Sequence, residues 1–437
     1  MSLQTDVLII GAGALGASLA YEISSTTDLS ITVIDMEGVP AFHSSSRNTG
    51  VIHRPFYLDP VSKKVYAESA IKSYGPWKEI AYIAGLPWVQ RGVMELALNE
   101  SDIHVIEKYS RWAMQNGMDE NEYNLLDEQD VRKLEPRVMA KGAILSNLDS
   151  NVSYGSMVGA VMQLAQNNGI RVLWNIRAER IIEGERPIVA CKSPNGEVNI
   201  KTGLVINVSG GGAYGLAKSL GLTSGYSELH FRGDYWKIRE FKGISRNIYT
   251  VPRNPGYPFL DPHFIIRPDG QMEIGPNAFL VSGSYAYNGT VSEILRSFTS
   301  PNYLKAIRLV LNREMLKLIW NDWGISISKS LMMRRVRKFI PSLDVKHVKG
   351  RGTSGIRHSL ISREGFVPES VVMGTSSTVH VLNFNSPGAT GAPAFARALL
   401  SKLSNLYGVK LILKKHRVWD SLIKNDCNIE LKVNIFY

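Results

Sequence analysis

The feature that most constrains this chain comes almost at once. The apolar run Val7 to Ile10 ends in Gly11-x-Gly13-x-x-Gly16, and an alanine-rich segment follows to about Ser25. The run suits a buried strand and the segment after it a helix. Ile31 to Ile34 then reads as a second strand, closing on Asp35. Strand, glycine turn, helix and strand in this order make half of a nucleotide-binding unit. The first glycine permits the tight turn, the second lets backbone approach a pyrophosphate, and the third lets the helix pack closely on the strand. Asp35 stands 19 residues beyond Gly16, where it can accept hydrogen bonds from ribose hydroxyls. Ala14 and Leu15 in the first helical turn and Met36 after the acid complete the expected contacts. From this pattern alone the dinucleotide is FAD or NAD; no second fingerprint and no redox dithiol accompanies it, so the electrons are expected from the substrate itself.

A length of 437 residues exceeds one typical core, and two lobes are expected. Val61 to Ala84 reads as helical, Gly92 to Leu98 as a strand, and polar amphipathic helices run to Glu135-Pro136. Tyr154 to Asn168 is again helical, and Arg171 to Trp174, Ala178 to Ile182 and Leu204 to Val208 read as strands. Residues 228 to 276 alternate apolar and polar around a Pro268-Asp269-Gly270 turn, the pattern of a broad antiparallel sheet. Helices are expected over 301–340, with Met332, Arg335 and Phe339 on one face and Arg334, Arg337 and Lys338 on a solvated one. Strands at 371–374 and 379–383 lead into Asn385-Ser386-Pro387-Gly388-Ala389-Thr390-Gly391 and a helix to about Leu406. Small residues ahead of a helix suit a ligand lying against its amide end. The expected fold is α/β: a Rossmann-type lobe of residues 1–85, 150–215 and 350–407, interleaved with an antiparallel-sheet α+β substrate lobe of residues 86–149 and 216–349. Residues 408–437 form a C-terminal extension.

Composition excludes several classes. No apolar run reaches the roughly 18 residues a membrane span needs, and the short lead from Met1 to Val7 leaves no room for an export signal. A cytoplasmic protein is expected, with the inner face of the membrane as a peripheral alternative. Cys191 and Cys427 are the two cysteines; their separation argues against a disulfide framework or a thiolate zinc site, and no metal is expected. Net charge is +11, concentrated in residues 301–437, which hold 22 basic against 8 acidic residues. Such an excess draws anionic ligands, but no basic stretch interleaved with stacking aromatics points to nucleic acid.

At Ser44-Ser45-Ser46-Arg47-Asn48-Thr49-Gly50-Val51-Ile52-His53 the sequence resembles the D-amino-acid-oxidase superfamily of FAD oxidoreductases, and within it the L-2-hydroxyglutarate dehydrogenases and oxidases. Phe231-Arg232-Gly233-Asp234-Tyr235, His263-Phe264, Arg267-Pro268-Asp269-Gly270, Gly275-Pro276-Asn277-Ala278, Gly355-Ile356-Arg357 and Val381-Leu382-Asn383 resemble further blocks in order, from about residue 5 to about 406. Two departures stand out: Arg54-Pro55 where small residues are usual, and Ser46-Arg47 where Gly-His is usual. The resemblance implies FAD, with Ser44, Ser45, Arg47, Asn48, Thr49 and Gly50 near the pyrophosphate and isoalloxazine. It further implies Ala178 against adenine, Ser209-Gly210 after the fourth strand, and Ser386, Pro387, Gly388, Ala389 and Thr390 at the pyrimidine end. A helix amino terminus suits the negative charge that reduced flavin carries there.

The reaction implied is oxidation of a small 2-hydroxy acid, first choice L-2-hydroxyglutarate, by hydride transfer to flavin N5, with quinone or oxygen as acceptor. Such a reaction needs a base for the hydroxyl proton, a cation for the carboxylate and an oriented alpha hydrogen. His53 is the expected base, since an imidazole is largely neutral at physiological pH; His263 and His358 are weaker candidates. Arg357 is the expected carboxylate clamp, because a guanidinium holds both oxygens in a fork. Arg267 is a second candidate, Tyr235 an orienting group, and Arg54 a second cation for a dicarboxylate or a phosphate. The rivals are an amino- or imino-acid oxidase or dehydrogenase, a glycerol-3-phosphate dehydrogenase, and a flavoprotein in which FAD serves structure. In the tail, Leu411 to Ile423 reads as a helix, and Ile429, Leu431, Val433, Ile435 and Tyr437 alternate like a strand. Both suit packing on the protein's own body or a twin subunit, or a basic surface against anionic lipid.

Overall fold

The computed structural model of the protein describes residues 2–253, 257, 261–289, 291–299, 304, 313–412, 418–420, 422 and 429–436. Ser2–Ile10 is the axis of a nine-stranded sheet, flanked in parallel by Ile31–Ile34 on one side and Gly196–Asn207 on the other. Arg171–Leu173 extends the first side. Thr378–Leu382, Val371–Gly374 and Val433–Ile435 extend the second. Ile31–Ile34 and the last four residues of Gly196–Asn207 are buried, and their short apolar runs are what a parallel sheet covered on both faces requires. Arg177–Ile182 and Ile188–Ser193 form an antiparallel excursion on the early half of Gly196–Asn207.

The glycine turn works as its spacing requires. Gly11 has φ +107°, and a Cβ on Gly16 would stand 1.8 Å from the carbonyl oxygen of Gly11. Only glycine lets the helix Ala14–Thr26 start so close to the strand. Every residue of that helix is buried. Leu19 and Ile23 are 0% and 1% exposed, and burial of each side chain is worth roughly 1.5–3 kcal/mol. Tyr154–Asn167 and Gly388–Tyr407 pack on it, and Lys64–Ile83 packs on Gly388–Tyr407. The loop ahead of that last helix turns at Asn383, whose φ of 58° is a conformation that asparagine tolerates better than most residues. Its amide spans the turn, donating to the carbonyls of Val367 and Glu369 and accepting from the N–H of Leu360.

The rest of the chain builds two further large sheets. Ser227–Gly233 lies between Phe279–Val281 and Gly355–Ser362 in a four-stranded sheet. Trp236–Ile238, Asn247–Thr250, His263–Ile266 and Met272–Gly275 join Val93–Ala97, Tyr123–Asp127, Gly142–Ser146 and Val348–Arg351 in an eight-stranded one. The expected single sheet over 228–276 is therefore divided between two, because Gly233 closes one strand and the chain crosses to another sheet by Trp236. Nor is the larger sheet wholly antiparallel: Asn247–Thr250 runs parallel to Val93–Ala97. The hairpin around Gly270 joins His263–Ile266 to Met272–Gly275, with φ +84° at the glycine.

Arg313–Ile327 and Lys329–Val336 are helical. Met332, Val336 and Phe339 are buried while Arg334, Arg337 and Lys338 are exposed. Most of the helix expected at 301–312 lies outside the described residues, as does much of the segment expected at 411–423. The tail nevertheless docks on the first body. Trp419 is fully buried edge-on to Tyr21 at 4.8 Å between ring centres, and Leu422, Ile429 and Leu431 are buried with it. Among the described residues no helix is long and apolar enough to cross a membrane.

Candidate active site

A cavity of about 840 Å³ runs from the glycine turn to the start of the helix Gly388–Tyr407. Gly11, Gly13, Ala14, Leu15, Asp35, Met36, Ser44, Ser45, Arg47, Asn48, Thr49, Ala178, Ser209, Gly210, Ser386, Pro387, Ala389 and Thr390 line it. Of the expected cofactor contacts, Gly16, Gly50 and Gly388 stand behind that wall. Gly16 has its packing role, and Gly50, with φ +72°, is crowded by the carbonyl of Val152.

The turn is shaped for a dinucleotide. A Cβ at Gly13 would meet the Ser45 hydroxyl at 2.9 Å, and one at Gly11 would meet Ser209 Cα at 2.7 Å. Asp35 accepts from the backbone N–H groups of Ala12 at 2.6 Å and Glu37 at 2.9 Å. Burial raises its pKa despite these bonds, and its remaining lone pairs can take ribose hydroxyls. Ser45 Oγ accepts from the N–H of Ala14, while Ser44 Oγ donates to the carbonyl of Ile356. Asn48 ties the loop together, donating to the carbonyls of Ser44 and Ser45 and accepting from the N–H of Gly50. The donors and glycine clearances fit an adenine dinucleotide along this wall.

Beyond the turn the cavity holds His53, Glu95, Tyr235, Tyr249, His263 and Arg357. His53 follows the short strand Val51–Ile52, and its backbone N–H donates to Thr390 Oγ1 at 3.3 Å. Its ring Nδ1 meets Asp149 Oδ1 at 3.0 Å, which leaves Nε2 as the nitrogen for the cavity. Asp149 is fully buried and also accepts from Ser146 Oγ at 2.5 Å and from the N–H of Arg54 at 3.3 Å. A carboxylate so held fixes both the tautomer and the plane of an imidazole. Asp149 carries no local sequence signal: it lies 96 positions from His53 and sits in a turn after a strand.

His263 is 1% exposed, stacks on Tyr249 at 3.8 Å, and neither ring nitrogen has a hydrogen-bond partner among the described residues. Burial, reinforced by repulsion from His53, lowers its pKa to about 3, so the ring is neutral at physiological pH. Glu95 points inward from Val93–Ala97, where burial and then the Asp149 charge raise its pKa to about 8. A lone acid in an otherwise apolar five-residue strand was the available signal for it. Arg357, on Gly355–Ser362, has its pKa lowered by burial and raised in part by Tyr235, Tyr57 and Tyr66. His358 faces away toward His230, Glu228 and Gly211, also at the cavity wall.

Two expected substrate cations are engaged elsewhere. Arg54 is buried and forks onto Glu122 with bonds of 2.6 to 3.0 Å. Arg267 binds Glu273 at 2.7 Å and the carbonyl of Asn48 at 2.6 Å, so it braces the cofactor-side loop from behind. Neither lines the cavity. Glu122 lies 68 positions from Arg54, where the sequence gives no pairing signal, whereas Glu273 stands across the Pro268-Asp269-Gly270 hairpin from Arg267.

A sheet built around a glycine-turn nucleotide unit, a second body closing over it and one continuous cavity between cofactor wall and titratable groups define a flavin-dependent oxidoreductase. The profile of the FAD dependent oxidoreductase (DAO) family matches residues 6–402, and the chain belongs to that family. It is similar to L-2-hydroxyglutarate dehydrogenase of Escherichia coli strain K12, at 27% identity over 92% of this chain and 93% of that one. To the mitochondrial L-2-hydroxyglutarate dehydrogenase of Homo sapiens it is 26% identical, over 92% and 89%. Among solved structures, FAD-bound L-alpha-glycerophosphate oxidase from Mycoplasma pneumoniae superposes with a TM-score of 0.72 at 19% identity, over 95% of this chain and 98% of that one. Glycine oxidase from Geobacillus kaustophilus gives 0.68 at 15%, over 95% and 100%. These two likenesses concern the fold. The protein is an FAD-dependent enzyme, which the resemblance of its superfamily blocks implies and the glycine turn by itself leaves open.

Proposed function

We propose that this enzyme oxidises a small 2-hydroxy acid, with L-2-hydroxyglutarate as the first choice, and passes the electrons to a quinone or to oxygen. The observation that carries the proposal is the His53–Asp149 pair, a buried imidazole oriented by a carboxylate in the cavity that Arg357 also lines. Oxidising an alcohol requires removal of a hydroxyl proton, whereas an amine substrate reacts as the neutral amine. A positioned base is therefore the feature that favours the hydroxy acid. The names of the bacterial and mitochondrial relatives agree.

In this reading Arg357 holds the substrate carboxylate in a two-pronged contact and fixes the alpha carbon. Nε2 of His53 takes the hydroxyl proton while Asp149 stabilises the imidazolium that results, as in other base–carboxylate pairs. Tyr235 and Tyr249 wall the site and exclude water, which strengthens both interactions. Bound FAD supplies the hydride acceptor. The residues that would hold FAD are the glycine turn, Asp35, the Ser44–Gly50 loop, Ala178, Ser209-Gly210 and the 386–390 helix start.

The test is anaerobic mixing of the flavoprotein with L- and D-2-hydroxy acids, amino acids and glycerol 3-phosphate. L-2-hydroxyglutarate should bleach the flavin fastest. Faster bleaching by an amino acid or by glycerol 3-phosphate overturns the proposal.

A further inference from the structure

Leu58, Asp59, Ser62, Lys63, Lys108 and Trp112 line the same cavity as Arg357. Lys63 ends a loop that is built rather than loose. Asp59 Oδ1 accepts from the N–H groups of Val61 and Ser62 at 2.9 Å, and the N–H of Lys63 reaches the carbonyl of Asp59 at 3.0 Å. Asn116 pins the same loop by donating to the carbonyls of Pro55 and Leu58, each at 2.8 Å. Lys63 is thereby fixed immediately before the helix Lys64–Ile83, with its side chain half-buried in the cavity wall.

Its ammonium makes no ion pair or hydrogen bond among the described residues, in contrast to Arg54 and Arg267 with their carboxylates. Burial lowers the pKa of Lys63, and the next cause is the positive charge of Arg357; Asp59 and Glu369 offset these only in part. Lys108, which also lines the cavity, already lies over the Trp112 ring at 4.6 Å. A half-buried lysine that lines the same cavity as an arginine, makes no ion pair of its own among the described residues and is only partly offset by Asp59 and Glu369 is stabilised when an anion enters that cavity.

We infer that Lys63 forms the subsite for a second carboxylate, so that a substrate spans from Arg357 to Lys63 and the enzyme selects dicarboxylic over monocarboxylic 2-hydroxy acids. The inference deepens the proposed function and rests on it for the identity of the reacting end. It replaces Arg54 as the second cation. The division of labour suits the two groups: the guanidinium fork orients the end next to the reacting carbon, and the ammonium, a point charge on a flexible stem, takes the distal end.

The test uses ligands that cannot react. Glutarate and butyrate are titrated into the FAD-loaded protein and followed through the perturbed flavin spectrum. Wild type should bind glutarate more tightly. Lys63→Met should weaken glutarate about 10- to 100-fold and butyrate less than about threefold, while Lys63→Arg should keep most of the preference. FAD content shows that both variants are folded. Wild type that binds glutarate no better than butyrate, or a Lys63→Met variant that loses both equally or neither, overturns the inference. Because neither ligand carries a hydroxyl, these outcomes are independent of whether L-2-hydroxyglutarate reduces the flavin, which tests the function itself.

Discussion

Replacing Asp149 by asparagine keeps its shape and removes its charge, and the structure sets what should follow. Asp149 accepts three hydrogen bonds: one oxygen takes His53 Nδ1 and the N–H of Arg54, and the other takes Ser146 Oγ. The asparagine amide has two orientations. With its oxygen toward His53 and Arg54, the nitrogen faces the Ser146 hydroxyl, which can turn to accept; the tautomer survives and only the charge that stabilises the imidazolium is lost. With its nitrogen toward His53, the ring proton moves to Nε2 and the base disappears, but the amide then also confronts the N–H of Arg54. The first orientation dominates, and the second adds a variable fraction. The rate of flavin reduction by a 2-hydroxy acid should fall about 100-fold from the lost charge in the first orientation and toward about 10,000-fold as the second, without a base, is populated. At about 1.36 kcal/mol for each factor of ten, this is roughly 3–5 kcal/mol of barrier. Anaerobic stopped-flow reduction measures it directly. FAD should remain bound, because Asp149 does not line the cavity. A reduction rate within threefold of wild type, with flavin content unchanged, would refute the pairing argument.

Two other perturbations have distinct signatures. Arg357→Lys should weaken binding of 2-hydroxy acids about 10- to 100-fold, since the charge remains but the fork is lost; unchanged affinity in a flavin-perturbation titration would remove Arg357 from the carboxylate site. Glu95 has a pKa raised to about 8 from 4.5, so the native state keeps a proton that the unfolded chain releases as pH rises through that window. The folded protein should therefore lose stability between about pH 4.5 and pH 8, by on the order of a few kcal/mol at about 1.4 kcal/mol per unit. Glu95→Gln should flatten this dependence and raise Tm at pH 8 more than at pH 5, and parallel Tm–pH curves for the two proteins would contradict it.

Local rules carried the nucleotide half of this fold a long way. Gly11, Gly13, Gly16 and Asp35 act within one β-α-β unit, where spacing dictates contact, and the strands at 31–34 and 371–374 stand where their apolar runs placed them. What spacing does not encode is which strand or turn comes to meet another. Asp149 reaches His53 across 96 positions, and Glu122 reaches Arg54 across 68. Arg54, expected as a second substrate cation, is thus part of a buried ion pair. The alternation over residues 228–276 likewise signalled strands correctly but was silent on the crossing between Gly233 and Trp236 that assigns them to two sheets. Lys63 had no motif at all; its interest comes from a pinned loop and from the cavity it shares with Arg357.

The central claim is that His53, held by Asp149, takes the substrate's hydroxyl proton as the alpha hydrogen leaves. Single-turnover flavin reduction by L-2-hydroxyglutarate in His53→Asn tests it most directly. The account predicts a rate about 100- to 10,000-fold below wild type with FAD still bound and glutarate affinity little changed. Near-normal reduction of the flavin in that variant would contradict it.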